Sequence, residues 1–231
     1  MAVASHMFDF DLIVIGSGAS GSVAATIAAK AGKRVAIVES DVLGGESSNW
    51  GDVPSGALLK TAHLYRQAKE GSEFGLRTSG LGYNYPALRT WKNTAVKRTG
   101  VANNRRFYES HGVSVFIGRA HFITPHEITV NRRHLSAKKF LIASGAEWSV
   151  PTIKGLQDIP FYTPRTILET LRPPKSILII GGGEDGIEIA QLLSTFGTKV
   201  YLTEQRQRLL PREEPETSEL IEKVLETQGV S

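Results

Sequence analysis

Cysteine is absent from this chain of 231 residues. Without a thiol the sequence can form no disulfide, no thiolate nucleophile and no cysteine-ligated metal site. The six histidines show no HExxH or similar ligand spacing, so no metal site is predicted. Cysteine usage therefore excludes these chemistries and leaves the cellular compartment undecided.

Long apolar runs are absent as well. Glycine and serine interrupt the most apolar stretch, residues 11–29, before it reaches the ~18 residues of a membrane span. The opening MAVASHM lacks the regions of a secretory signal, and SHM is typical of a cloning remnant. We expect a soluble, cytoplasmic protein in which residues 1–7 are a tag or disordered start and Met7 is a candidate first residue.

Acidic residues are scarce between positions 89 and 139. This stretch has eleven Lys or Arg against Glu109 and Glu127, in a chain of net charge +4. A nucleic-acid surface would carry such a bias, but so would the solvated face of a helix. No base-stacking aromatics are interleaved and no nucleic-acid motif is found, so we interpret the stretch as a solvated face.

Residues 10–40 have the pattern of a strand, a glycine turn, a small-residue helix and a second strand. The turn has GxGxxG spacing at Gly16, Gly18 and Gly21, and the second strand ends at Glu39. In such a unit the glycines allow a tight turn, room for a pyrophosphate and close helix–strand packing. The helix N-terminus offers N–H groups to phosphates, and Glu39 can accept ribose hydroxyls. A structural turn in an unrelated sheet is the alternative, but the strand, helix and acid favour a dinucleotide site.

The middle of the chain separates into helices and short strands. Two helices with an irregular loop are predicted over residues 56–112. Residues 113–150 alternate apolar and polar side chains, which predicts strands in a meander that ends in a buried strand. After that strand, Ala143, Ser144 and Gly145 would bring backbone close to a flat or anionic ligand.

The glycine pattern returns after a proline-containing linker. Gly181, Gly183 and Gly186 repeat the spacing between a strand and a helix, and the next strand ends at Glu204. Two copies of the full context predict two dinucleotide sites. A carboxylate at Glu204 would repel a 2′-phosphate, which favours NADH over NADPH. The arginines of the following RQR weaken that preference.

Several short motifs follow one another in the order of a known family. They are the first glycine turn, GGESSNWGDVPSGALL at 44–59, GRAHF at 118–122, IASG at 142–145, GGGEDGIEIA at 181–190 and RLLPREEPETSE at 208–219. Over residues 8–230 the chain resembles the class I pyridine nucleotide-disulfide oxidoreductases, of the dihydrolipoamide dehydrogenase and mercuric reductase-like kind. The resemblance implies an α/β fold: a Rossmann-like FAD-binding domain, a parallel sheet with a β-meander, followed by an incomplete second Rossmann-like NAD(P)-binding domain.

The resemblance also implies two cofactors, FAD at the first turn and NAD(H) rather than NADP(H) at the second. For FAD it implies Gly16, Gly18, Ala19, Ser20, Gly21, Glu39, Ser40, Gly45, Glu46, Ser47, Ala120, Ala143, Ser144 and Gly145. For NAD it implies Gly181, Gly183, Gly186, Glu188 and Glu204. Within the first set, residues 45–47 are expected near the pyrophosphate and flavin, and Ala120 beside the adenine.

The chain departs from the family pattern within GGESSNWGDVPSGALL. Ser47 and Asp52 stand at the positions of the two redox cysteines, and Gly56 stands at the position of a lysine. A serine hydroxyl forms neither a disulfide nor a thiolate, so disulfide reductase activity is not expected and no catalytic residue is assigned. Glu184, where relatives commonly have tyrosine or proline, is a further departure at the nicotinamide pocket.

The resemblance predicts three segments after the start of the chain. They are an FAD-binding domain over 8–150 that lacks its return strand, a linker over 151–173 and a partial NAD(P)-binding domain over 174–231. Relatives are homodimers, but their dimer domain is not found here. One hypothesis is a truncated or diverged flavoprotein that passes electrons from NADH through FAD to a small acceptor such as a quinone or oxygen. The other is a catalytically inactive FAD-binding fragment or pseudoenzyme that acts as a binding module.

Overall fold

A six-stranded sheet contains the first glycine motif in the computed structural model, which describes residues 7–231. Its strands and adjoining helices are β1 (Phe10–Ile15), α1 (Ala19–Lys30), β2 (Val35–Glu39), α2 (Gly45–Asn49), β3 (Val113–Ile117), β4 (Ala120–Thr124), β5 (Glu127–Val130) and β6 (Arg133–Ile142). The strand order is β3-β2-β1-β6-β5-β4, parallel from β3 to β6 and antiparallel from β6 to β4. The expected parallel sheet with a β-meander is confirmed. Residues 1–6 of the expected tag or disordered start, 1–7, lie outside the described residues.

This sheet has an apolar core on each face. Val14 and Ile37 belong to one core, whereas Ile13 and Val38 belong to the other, because successive side chains of a strand point to opposite faces. All five residues of β2 are buried. A strand buried on both faces is typical of a parallel sheet covered on both sides.

The last strand of the meander is less buried than expected. Asn131 and Arg132, between β5 and β6, both have positive φ, as a two-residue hairpin turn requires. The end of β6 is exposed at Leu141 (37%) and Ile142 (67%), so the predicted burial of this strand is wrong there. The described residues leave the sheet faces partly uncovered at this end of β6, where side chains point out of the sheet plane. Residues 137–142 also pair with β1 along one edge and with no other described strand.

The other elements include the second glycine motif. They are α3 (Asp52–Glu70), α4 (Tyr85–Arg98), α5 (Arg105–Ser110), α6 (Pro164–Ile167), β7 (Ser176–Ile180), α7 (Glu184–Thr195), β8 (Lys199–Thr203) and α8 (Pro215–Thr227), with 3-10 helices at Gly71–Phe74 and Leu156–Asp158. Strands β7 and β8 pair in parallel on either side of α7 in the sequence. This is a second β-α-β unit, as the repeated motif predicts.

The chain divides into two compact units that are not continuous in sequence. The first contains the residues up to Gly51 together with Val96–Pro151, and the second contains Asp52–Ala95 together with Thr152–Ser231. Residues 52–95 therefore group with the C-terminal residues rather than with the expected domain 8–150. The packing explains this grouping, because Leu58 and Ala62 of α3 share one apolar core with α7 residues such as Leu193.

No described helix combines the length and the hydropathy that a membrane crossing needs.

Candidate functional site

The first glycine turn, residues 16–21, connects β1 to α1. A Cβ on Gly16 would overlap the carbonyl oxygen of Ala143, and one on Gly21 would overlap the carbonyl oxygen of Gly16. Gly16 also has φ +102°, a backbone conformation that favours glycine. Gly18 differs, since a Cβ there would meet no atom of the described residues within 4 Å. Two glycines are thus explained by the fold itself, and the third lies beside open space.

Glu39 lies against this turn at the end of β2. Its Oε2 accepts hydrogen bonds from the Ser17 amide (2.9 Å) and the Ser17 hydroxyl (2.6 Å), and its Oε1 accepts one from the Asp41 amide (2.9 Å). The residue is only 8% exposed. The carboxylate is therefore held in place by the chain, and its remaining lone pairs are the ones left for ribose hydroxyls.

A buried hydroxyl network that the sequence analysis missed lies beneath the turn. The Ser22 hydroxyl donates to the Ser17 carbonyl (2.6 Å) and lies 2.8 Å from the Tyr108 hydroxyl. Tyr108 also donates to the Ser17 carbonyl at 3.3 Å and is fully buried. Burial raises the pKa of Tyr108, so this hydroxyl stays protonated as a donor. No motif predicts the contact, because 86 residues separate Ser22 from Tyr108.

The loop after β2 also packs on the first glycine turn. The Gly44 amide donates to the Ser17 hydroxyl at 3.0 Å, and a Cβ on Gly45 would come within 2.5 Å of the Gly18 Cα. Trp148 donates to the Glu46 carboxylate at 3.4 Å. The structure therefore brings the start of α2 to the second glycine of the turn.

The remaining residues predicted for FAD are placed as follows. Ala19, Ser20, Ser40, Ser144 and Gly145 are exposed, and Ser47 is half-buried in α2. Ala143 and Ser144 follow β6 and adjoin Gly16. Ala120 begins β4, two residues after Gly118, whose amide donates to the Glu39 carbonyl at 2.7 Å.

The second glycine turn, residues 181–186, connects β7 to α7 with the same backbone pattern. A Cβ on Gly186 would overlap the carbonyl oxygen of Gly181, whereas one on Gly183 would meet nothing within 4 Å in the part of the chain that the structure describes. Glu204 at the end of β8 accepts from the Gly182 amide and the Arg206 amide, each at 2.8 Å. These two amides, that of Arg206 foremost, hold the pKa of Glu204 below its usual value.

Carboxylates surround the start of α7. Glu184 and Asp185 occupy its first turn, with Glu188 one turn further and Asp52 at the start of α3. Desolvation, together with repulsion from Glu188, Glu184 and Asp52, raises the pKa of Asp185. Several carboxylates thus lie at the start of α7, although the N-terminus of a helix ordinarily favours anions.

The departures in residues 44–59 lie on helices. Ser47 is in α2, and Asp52 is the first residue of α3. Gly56 is inside α3, where a Cβ would meet no atom of residues 7–231 within 4 Å beyond the helix's own backbone. The backbone at Gly56 would therefore accept a longer side chain without a clash.

A family model and known proteins match this chain in sequence. The family model described as pyridine nucleotide-disulphide oxidoreductase matches residues 10–231. The mercuric reductase of Lysinibacillus sphaericus is 34% identical over 96% of this chain and 41% of its own length. The dihydrolipoyl dehydrogenase of Acholeplasma laidlawii is 33% identical over 96% of this chain and 67% of its own length.

A solved structure also resembles the chain. The HOCl-induced flavoprotein disulfide reductase RclA from Escherichia coli, as its Cu(II) complex, superposes with a TM-score of 0.79 at 28% identity. The superposition covers 95% of this chain and 48% of that protein. The chain thus spans about half the length of this structure and 41% of the mercuric reductase.

Proposed function

Because the chain belongs to the pyridine nucleotide-disulphide oxidoreductase family, we propose that it works as an FAD-dependent NADH oxidoreductase. The family implies a flavin and a pyridine nucleotide as cofactors. In this proposal FAD binds at the first glycine turn and NADH at the second. The electrons then pass to a small acceptor such as a quinone or oxygen.

The observation that carries the proposal is the open space beside Gly18. The fold explains Gly16 and Gly21 by close backbone contacts, whereas nothing described in the protein lies within 4 Å of a Cβ on Gly18. A pyrophosphate needs such an approach to the backbone at the second glycine of the motif. The residues around the first glycine turn therefore fit the adenosine diphosphate half of FAD.

The chain's own groups would hold the cofactor by their charge and hydrogen bonds. The amides at the start of α1, including those of Ala19 and Ser20, are suited to the pyrophosphate. Glu39 would accept the ribose hydroxyls with the lone pairs that Ser17 and Asp41 leave open. Bound FAD would supply the two-electron chemistry that none of these side chains can perform.

The proposal includes no dithiol step. The chain has no cysteine, and the two positions that the resemblance assigns to the redox pair hold Ser47 and Asp52. Neither side chain can cycle between a thiol and a disulfide. Reducing equivalents would therefore pass to a diffusible acceptor.

Purification in excess FAD followed by an anaerobic titration with NADH tests the proposal. We expect flavin absorbance to remain with the protein after desalting, and NADH to bleach it. NADPH should bleach it more slowly, because Glu204 stays ionised and repels a 2′-phosphate. A protein that retains no flavin contradicts the proposed cofactor. Retained flavin that neither nucleotide bleaches contradicts electron transfer and leaves a binding module.

A further inference from the structure

The loop between β8 and α8 folds back onto the second glycine turn. The Leu210 amide donates a hydrogen bond to the Gly182 carbonyl at 2.8 Å. Cδ2 of Leu209 lies 2.5 Å from the position that a Cβ on Gly182 would take, so Leu209 packs directly on that glycine. This loop, residues 205–211, therefore contacts the turn through both a hydrogen bond and an apolar side chain.

Leu210 has a backbone conformation that leucine rarely adopts. Its φ is +44°, in the left-handed region where a Cβ is sterically unfavourable. Such residues persist only where the surrounding structure holds them, and they cluster at ligand-binding sites. Two hydrogen bonds hold Leu210, the one from its amide to Gly182 and one from the Glu213 amide to its carbonyl at 2.9 Å. The path of the 205–211 loop is therefore fixed on both sides of Leu210.

A buried serine of α8 anchors the same loop. Ser218 is only 2% exposed, and its hydroxyl donates to the Leu209 carbonyl at 2.6 Å. Leu209 and Leu210 also pack against the apolar core that contains Leu193 of α7 and Leu225 of α8. Removing the hydroxyl would leave a carbonyl without its donor, which costs more than the hydrogen bond gains. Ser218 thus connects α8 to the second glycine turn through the loop.

These contacts complete a ring of hydrogen bonds that includes Glu204. The Glu204 carboxylate accepts from the amides of Gly182 and Arg206, each at 2.8 Å. Gly182 belongs to the turn and Arg206 to the loop, and the bond from the Leu210 amide to the Gly182 carbonyl joins the two segments. The direction of the carboxylate therefore depends on the 205–211 loop as well as on the glycine turn.

We propose that Ser218, Leu209 and Leu210 are positioning residues for the pyridine nucleotide. They act through Gly182 and Glu204, which they hold in the arrangement that selects an unphosphorylated ribose. This inference rests on the proposed function, which assigns the second glycine turn to the nucleotide. A ribose 2′-hydroxyl donates to a carboxylate held in place, whereas a 2′-phosphate is repelled by it. Loosening the loop lets the Glu204 carboxylate turn away, so the discrimination falls although no residue at the nucleotide has changed.

Isothermal titration calorimetry with NAD⁺ and NADP⁺, on the protein purified in excess FAD, tests this role. Ser218→Ala should lower the preference for NAD⁺ over NADP⁺ about fivefold, the equivalent of one lost hydrogen bond. Thr227→Val is the matched control, because it removes a hydroxyl of the same helix that donates to the Val224 carbonyl at 2.7 Å. It should leave the preference unchanged. A general loss of stability would weaken the binding of both nucleotides alike, so the ratio of the two affinities separates positioning from a structural role.

Position 210 provides a second test. Leu210→Gly keeps the amide and accepts the positive φ, so it should keep the preference for NAD⁺. Leu210→Val places a β-branched residue in this conformation and should lower the preference at least about threefold. An unmodified protein that binds NAD⁺ overturns the inference alone if both Ser218→Ala and Leu210→Val leave the preference unchanged. An unmodified protein that binds neither nucleotide overturns the proposed function, and the inference with it.

Discussion

The two glycine turns have a similar backbone conformation but differ in the side chains around it. In each turn, the third glycine lies against the carbonyl of the first, and the second glycine faces open space. The glutamate at the end of the second strand accepts a hydrogen bond from the amide of the residue between the first and second glycines. That middle residue is Ser17 in one turn and Gly182 in the other. Backbone geometry sets these shared features. The two turns differ in the hydrogen bonds and charges of the side chains around them.

The first glycine turn is supported by side-chain hydroxyls, and the second is not. Ser17 bonds Glu39 through its hydroxyl and accepts from the Gly44 amide, while Tyr108 contacts the same turn from below. At the second turn the middle residue is Gly182, which has no hydroxyl, and a Cβ there would come within 2.5 Å of Cδ2 of Leu209, so a side chain would require Leu209 to move. The first turn therefore has more side-chain hydrogen bonds holding its backbone than the second has.

The charges at the two turns also differ. Helix α1 has no acidic residue in its first turn, whereas α7 has Glu184 and Asp185. A pyrophosphate would be attracted by the first helix and partly repelled at the second. This difference supports the proposed placement of FAD at the first turn and of the pyridine nucleotide at the second.

The largest effect is expected from the glycines that pack on backbone. Gly21→Ala and Gly186→Ala each place a Cβ on a carbonyl oxygen, which should lower the free energy of unfolding by about 3 kcal/mol or more. Urea denaturation of each variant measures this loss. Gly56→Ala is the control, since its Cβ meets nothing and alanine favours a helix by about 1 kcal/mol. If Gly21→Ala is as stable as Gly56→Ala, the turn is not held as the structure shows.

The second expected effect separates the two cofactors. Gly18→Ala should leave the stability of the cofactor-free protein within about 0.5 kcal/mol, because its Cβ meets no atom. It should still weaken FAD binding at least about tenfold by occupying the space meant for the pyrophosphate. Gly183→Ala should keep FAD and raise the NADH concentration needed for bleaching. Flavin fluorescence and anaerobic titration read the two effects, and equal FAD binding by both variants would contradict the assignment.

A smaller effect is expected from the buried hydroxyls. Tyr108→Phe removes a donor to the Ser17 carbonyl while Ser22 keeps bonding it, so we expect a loss of about 1 kcal/mol in stability. FAD affinity should fall as well, because the first glycine turn loses support. Tyr83→Phe is the matched control, since that hydroxyl donates to the Phe196 carbonyl in the other unit. An FAD affinity lowered equally by Tyr83→Phe would show that the effect is not local to the turn.

The smallest expected effect concerns the carboxylates of α7. Asp185→Asn should lower the KM for NADH by a few fold, because removing a charge near a helix N-terminus changes anion binding by about 0.3–1 kcal/mol. Glu213→Gln, an exposed acid just before α8, should leave it unchanged. Steady-state kinetics with a quinone acceptor measure the KM of both variants. An unchanged KM in Asp185→Asn would show that charge does not account for the difference between the two turns.

The same residue gives a pH test. The pKa of Asp185 is raised above 3.8, so the folded chain holds this proton more tightly than the unfolded chain does. Its contribution to stability is present below pH 3.8 and is lost as the pH rises through the folded-state value. Glu204 behaves oppositely, because its lowered pKa gives stability above pH 4.5 that is lost on acidification. As the pH rises across this range, the urea midpoint of Asp185→Asn should rise relative to that of the unmodified protein, and the midpoint of Glu204→Gln should fall.

The sequence predicts the two turns well because their constraints are local. The spacing from Gly16 to Gly21 and the acid at Glu39 follow from how a strand, a turn and a helix connect. Tyr108 could not be predicted as a support, since its contact depends on how distant segments pack. Nor does the motif distinguish Ser17 from Gly182, because any residue is allowed at that position. The grouping of residues 52–95 with the C-terminal unit is likewise decided by apolar packing along α3 rather than by a local signal.

The hydrogen bonds that backbone amides donate to Glu39 have a consequence for the order of folding and cofactor binding. Both carboxylate oxygens already accept hydrogen bonds from within the chain, so their alignment does not depend on a cofactor. We therefore expect the newly made polypeptide to reach its native shape first and to take up flavin afterwards. Riboflavin starvation of the producing cell should then lower the specific activity of the purified protein while leaving its yield unchanged.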